Sequence, residues 1–257
     1  MKQRFSSFVE SNQPCGPTLP IVHTTDWYVL RDLIDGDRKL KPMNCPVFGE
    51  RLSYFFYGKP CYRKHIGEDP NSLSAFYLVG IILRAEVLGK FVRMFPFDSG
   101  AYVNGFYDSS LHPQMDVNDF SLKPEMKTAE KTVSTFFENN ENYMKGIVAN
   151  KITPSVMDIE VEAYLSIVGD KSKTKSDDRR GAIEFQVSDE IIINKRNVLA
   201  VILPEQLLDD KFVRDFIEVE LGAKPLHYLC PHARPSEDAR AIIAEANRFY
   251  KSEGFYG

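Results

Sequence analysis

The chain has 257 residues, 43% of them hydrophobic and 26% charged, with a formal net charge of −4 at pH 7. That is the composition of an ordinary globular protein with a substantial core. No apolar run is long enough to span a bilayer, and the acidic balance argues against whole-surface binding to nucleic acid while leaving room for a local basic patch.

The opening MKQRFSSFVESNQPCGP lacks the apolar core of a signal peptide, so a cytoplasmic protein is expected, with residues 1–18 as a flexible, loosely held arm. LPIVHTT then reads as a short buried strand. DWYVLRDLIDG reads as a helix, with Asp26 as N-cap and Gly36 as stop. Residues 36–49 read as loop. SLSAFYLVGIILRAEVLG (72–89) is apolar throughout, and its length favours a helix, followed by a strand in KFVRMFPF. Residues 98–126 are rich in Gly, Asp, Ser and Pro and read as loop.

KTAEKTVSTFFENNENYMKGIVAN reads as one helix, SVMDIEVEAYLSIVG contains a strand, and DKSKTKSDDRRG is a charged loop. AIEFQVS and NVLAVILP are strands, EQLLDDKFVRDFIEVELG is helical, KPLHYLC is a last strand, and the chain closes on a helix beginning near Pro235 and Ser236. No repeat or low-complexity linker divides the sequence. The expectation is a single α+β domain over 19–257.

Four segments hold the residue types of a binding site. In VHTT, His23 ends a strand beside two hydroxyl residues and could serve a ligand or simply be a hydrogen-bonded core histidine. ERLSYFFYGKPCYRK (50–64) mixes aromatic rings with basic groups. It reads either as a core strand with snorkelling basic ends or as the wall of a pocket for a flat, charged ligand. RMFPFDSGAY runs an apolar strand into a turn. In AIEFQVS, Glu184 and Gln186 share one strand face, as on a solvated edge. The loop before it, Gly169 to Gly181, has five basic and three acidic residues, a local excess of positive charge in an acidic protein. The four cysteines (Cys15, Cys45, Cys61, Cys230) form no C-x-x-C pair, and HYLCPH, with His227, Cys230 and His232, offers at most half a metal site, so neither a disulfide framework nor a metal is expected. No G-x-G-x-x-G follows a strand, which argues against a Rossmann site.

The order of a His-bearing strand and helix, FFYGKPCY, FPFDSGA and RRGAIEFQV resembles the DarT-like ADP-ribosyltransferases, bacterial toxins that use NAD to modify nucleic acid. That family has an H-x-T strand, an F-Y-F-x-x-x-S-P-x-x-Y block, an F-T-D-G-x-A block and a late strand with the catalytic Glu. The likeness covers residues 20–105 and 178–204, and Lys59 stands where the family has Ser before the Pro. The resemblance implies a split β-sheet core with surrounding helices and NAD as co-substrate. It implies Glu184 as catalytic carboxylate and Arg51 as the second catalytic residue. His23, Thr24, Thr25, Tyr54, Tyr57 and Tyr62 would hold NAD, with Tyr57 or Tyr62 stacking on the nicotinamide. Lys171, Lys173, Lys175, Arg179 and Arg180 would contact phosphates of single-stranded RNA or DNA, with RNA favoured by a related group in phage-defence toxin–antitoxin–chaperone systems. An antitoxin, and in such systems a chaperone, would be the protein partners. A protein-directed transferase and a non-enzymatic binding or scaffold module are the competing readings.

Overall fold

A computed structural model describes residues 4–61, 73–170, 179–230 and 235–257. The segment expected as a loose arm contains helix α1 (Arg4–Glu10), with Phe5 and Val9 buried. The Phe5 ring packs 5.5 Å from Phe120, 5.6 Å from Phe136 and 5.4 Å from Tyr164, centroid to centroid. A seven-residue helix does not persist alone in water. This one is held by its apolar side chains, and the polar residues between them disguised that face in the sequence.

Strand β1 (Ile21–Asp26) leads into α2 (Trp27–Asp35), where the Asp26 carboxylate accepts the Val29 N–H at 3.0 Å as the expected N-cap. Two short strands, β2 (Lys39–Leu40) and β3 (Met43–Asn44), precede β4 (Arg51–Tyr57). The stretch expected as a helix over 72–89 instead centres on strand β5 (Leu78–Leu83), all six residues of which are buried. A strand covered on both faces loses its alternation and reads as a continuous apolar run, which is why length misled. Gly80 within it admits the closing helix, since a Cβ there would lie 3.2 Å from Ile242 Cγ2.

Strand β6 (Arg93–Phe95) is followed by a short helix α3 (Ser99–Val103) in the stretch read as loop. The single helix expected next is two, α4 (Met126–Phe137) and α5 (Asn140–Lys145), broken at Glu138 (φ 68°), with Asn139 capping the second. Residues 159–169, expected to include a strand, form α6 (Ile159–Gly169). Its β-branched residues fit a helix because Val161, Tyr164 and Ile167 recur on one buried face, and Glu160 and Glu162 suit a first turn.

The remaining elements are β7 (Glu184–Val187), β8 (Ile191–Ile192), β9 (Val198–Pro204), α7 (Glu205–Leu208), α8 (Lys211–Asp215) with a π turn over Phe216–Glu220, β10 (Lys224–Tyr228) and α9 (Pro235–Ser252). The result is an α+β fold on a mixed sheet ordered β10-β9-β5-β1-β4-β7-β6, with β3 added to β4. β10 and β9 run parallel, and the other neighbours in this sheet are antiparallel. α9 lies across β5, β9 and β10. Among the described residues no helix is long and apolar enough to cross a membrane.

The β1–β4 seam is short. Its ladder contains only the pairs Ile21–Tyr57 and Val22–Phe56, whereas β1 pairs with β5 over its whole length. Past Val22 the two strands part, and the sheet forks there.

Phe5→Ala is expected to destabilise the protein by about 3–5 kcal/mol in urea unfolding, the loss for a buried aromatic ring. Unchanged stability would mean that α1 is not part of the core.

Candidate active site

Antiparallel register sorts the side chains of three strands. Pairing of Tyr54 with Gln186, Phe56 with Glu184, Arg93 with Gln186 and Phe95 with Glu184 puts those six on one face. Phe55, Tyr57, Phe185 and Met94 face the other way, into the main aromatic core.

Glu184 is the centre of the first face. It is only 1% exposed, and Gln186 is fully buried, so the pair is not a solvated edge. The carboxylate accepts three hydrogen bonds, from Ser99 N–H (3.1 Å), Ser99 O–H (2.7 Å) and the Gln186 amide (2.7 Å). Gln186 Nε2 also lies 3.1 Å from Ser99 Oγ. Ser99 is delivered by the FPFDSGA turn. Asp98 caps α3 by accepting Ala101 N–H at 2.7 Å, and its own N–H donates to Arg179 O at 3.0 Å. Burial, and then the negative charge of Asp98, push the Glu184 carboxyl up to about 8, against the opposing pull of its three donors. A carboxyl that titrates near neutral pH can act as acid or base.

Around this group, Tyr54, Phe56, Cys61 and Ala182 form a small apolar cluster separate from the main core. The Cys61 thiol lies 3.5 Å from Asp98 Oδ2. Arg93 donates from Nη1 to Gln186 Oε1 at 3.4 Å, grips Glu50 through both terminal nitrogens (3.2 and 2.6 Å), and lies 4.6 Å over the Phe48 ring.

Several residues expected in the site lie elsewhere. Arg51 is exposed, and its guanidinium donates to Pro42 O at 3.1 and 2.9 Å. It sits on the face opposite Glu184 and about 16 Å along the strand from Phe56. The arginine linked to Glu184 is Arg93, through Gln186. Tyr57 is a core residue: it is fully buried against Tyr143 and Phe185, and its hydroxyl accepts Leu19 N–H at 2.9 Å. It cannot stack on a ligand. The turn after it uses Gly58 at φ +63°, where any Cβ would meet Leu19 Cδ1 at 2.7 Å.

His23 sits at the fork, where its Nδ1 lies 2.9 Å from Tyr54 O and its ring leans on Phe55, on the face away from Glu184. Thr24 is buried beside Gly80, and its hydroxyl has no hydrogen-bond partner among the described residues. Thr25 is half-buried and pairs with Val79. Tyr54 is half-buried on the Glu184 face. Arg179 is turned inward, its guanidinium 4.4 Å over the Phe106 ring, and Arg180 donates to Asp170 O across the root of the charged loop. Tyr62, Lys171, Lys173, Lys175 and His232 lie outside the described residues. Among the described residues, no group of three or more His, Cys, Asp or Glu could hold a metal.

Comparison with known proteins yields no significant match to a family model, a curated protein or a solved structure.

The raised Glu184 group has a stability consequence. The folded state binds a proton that the unfolded state has lost, so this stabilisation is complete below the ordinary carboxyl value and disappears as pH rises through about 8. Glu184→Gln is expected to gain stability relative to wild type between pH 5 and 8, by at most about 1.4 kcal/mol per pH unit. Urea unfolding at several pH values reads this directly. Parallel pH profiles would contradict the buried, protonated carboxyl.

Proposed function

We propose that the protein is an NAD-dependent ADP-ribosyltransferase that modifies single-stranded nucleic acid, acting as a toxin under the control of an antitoxin. The observation that carries the reading is Glu184, a buried carboxyl on β7. The adjacent strand β4 bears Tyr54, and β1, the next strand beyond it, bears the His23–Thr24 pair.

Transfer of ADP-ribose breaks the bond between nicotinamide and ribose, and positive charge develops on the sugar as in glycoside hydrolysis. An ionised Glu184 beside that carbon stabilises the developing cation and accepts the proton of the incoming nucleophile. Ser99 and Gln186 orient it. Tyr54 provides the stacking face for the nicotinamide. Arg93, rather than Arg51, supplies a cation on the Glu184 face. Thr24 of β1 lies on the same sheet face as Glu184 with β4 between them, and an extended dinucleotide is long enough to cross that strand, whereas His23 faces the other way. The Thr24 hydroxyl, which has no hydrogen-bond partner among the described residues, is a partner for the dinucleotide's polar groups.

The nucleic-acid target rests on the basic loop. With Arg179 and Arg180 committed to the loop's root, phosphate contact falls to Lys171, Lys173 and Lys175. RNA is the favoured substrate, on the resemblance to the RNA-modifying group.

Purified protein given labelled NAD with separate pools of single-stranded RNA, single-stranded DNA and lysate protein tests the reading. Label should enter the RNA pool, and Glu184→Ala should abolish transfer, a fall of about a hundredfold or more, expected for loss of a catalytic acid–base group. Label in protein alone would establish the protein-directed transferase. No label and no NAD consumed would leave a binding module.

A further inference from the structure

The helical stretch over residues 211–220, made of α8 and the π turn that continues it, packs against β10, the edge strand at the far end of the sheet from β6. One side of it belongs to the core: Val213, Phe216, Ile217 and, just beyond, Leu221 are buried. The turn is wide, with Leu221 N–H reaching back to Phe216 O at 2.9 Å, and so both Phe216 and Ile217 are kept inside. Arg38 secures this inner side, its guanidinium 5.3 Å from the centre of the Phe216 ring and paired with Glu220. Arg214 is turned to its own chain, donating to Leu208 O at 3.1 Å and to Asp209 O at 3.3 Å.

The outer side carries two large apolar side chains, Phe212 and Val219, each 61% exposed. A single exposed apolar residue is ordinary. These two are two helical turns apart with Asp215 between them, the a, d, a spacing of a helix that packs on another helix. Lys211 and Glu218, both exposed, flank that stripe at its two g positions, one basic and one acidic. Lys211 Nζ lies 3.9 Å from the Asp215 carboxylate. This order of charge has a direction. Two copies laid antiparallel about a two-fold axis bring Phe212 of each onto Val219 of the other, and Lys211 of each toward Glu218 of the other. A parallel pair would leave both charges without an opposite.

We propose that the outer side of residues 211–220 is an interface between two copies of this chain, packed antiparallel about a two-fold axis, with Phe212 and Val219 as its apolar contacts and Lys211 and Glu218 as its charge pairs. The occupant is a second copy because the stripe is its own complement in both charge and apolar character. Asp215 falls beside the axis and faces its counterpart, a like-charge contact that weakens the pair. Lys211, between Asp215 of its own chain and Glu218 of the second copy, offsets that repulsion. The contact is small and carries charge at its centre, so the dimer it makes is a weak one that forms and separates with concentration. The proposal goes beyond the transferase reading and does not depend on it.

Sedimentation velocity and light scattering on the whole protein, from low micromolar to about 1 mM, read the association. Wild type is expected to pass from monomer to dimer over that range and to go no further, because a two-fold interface closes on itself. Phe212→Asp should raise the dissociation constant by about tenfold or more, as loss of a central apolar contact does. Lys211→Glu and Glu218→Lys should each weaken the dimer by setting like charges across the axis, and Asp215→Asn should tighten it. An equimolar mixture of the Lys211→Glu and Glu218→Lys proteins should associate more tightly than either alone, since only the mixed pair restores opposite charges on both sides of the axis. A wild-type protein that stays monomeric throughout overturns the proposal. So does a dimer that Phe212→Asp leaves intact, or a mixture no tighter than its two components.

Discussion

The contact between Glu184 and Ser99 is the constraint on which the arrangement of this face depends. It ties β7, one strand in from the sheet edge, to the turn after β6 through two buried hydrogen bonds from one residue. In such surroundings a carboxyl needs its hydrogen bonds, and Glu184 receives three, two of them from Ser99 and one from Gln186. The same turn brings Asp98 to the carboxyl and to Cys61, and its backbone takes hold of Arg179. The site, the turn and the root of the charged loop are therefore one connected unit, and a change at Ser99 would reach all three.

The opposite face of the sheet supplies the rigidity. Tyr57 is a bolt rather than a binding residue. Its hydroxyl meets the chain entering β1, and its carbonyl accepts the Tyr143 hydroxyl at 2.7 Å, which in turn receives Ile183 N–H at 3.1 Å. This fixes the approach to Glu184 from behind. Phe5, Phe136 and Tyr164 extend the same aromatic layer to the N-terminal helix. One strand, β4, thus presents Tyr54 and Phe56 to the site and Phe55 and Tyr57 to the core. That accounts for the rings of the described part of ERLSYFFYGKPCYRK: Phe55, Phe56 and Tyr57 are buried in packing, and Tyr54 is half-buried beside Gln186.

Local signals were legible where a residue type has one physical use. Asp26 before an amphipathic run marked a helix start, and the alternation around Glu184 marked a strand. The misreadings share a cause, since tertiary burial erased the local period. β5 is covered on both faces and so resembled a helix, while the β-branched residues of α6 resembled a strand. Arg51 stood beside the aromatic block in sequence, but a five-residue offset along a strand changes both face and distance, which no motif spacing reveals. Arg93 and Ser99 were present in RMFPFDSGAY, yet their link to Glu184 exists only through the β6–β7 pairing. Asp-Ser-Gly at the end of an apolar strand was the available signal, and it is equally the signal of a plain turn.

The measurement that bears most directly on the whole account is a crystal structure of the Glu184→Gln variant with NAD, the substitution serving to prevent turnover. The account predicts the nicotinamide ring against Tyr54, the adjoining ribose facing residue 184, and the rest of the dinucleotide crossing β4 toward Thr24. NAD bound on another surface, or no dinucleotide in crystals grown at saturating concentration, would contradict it.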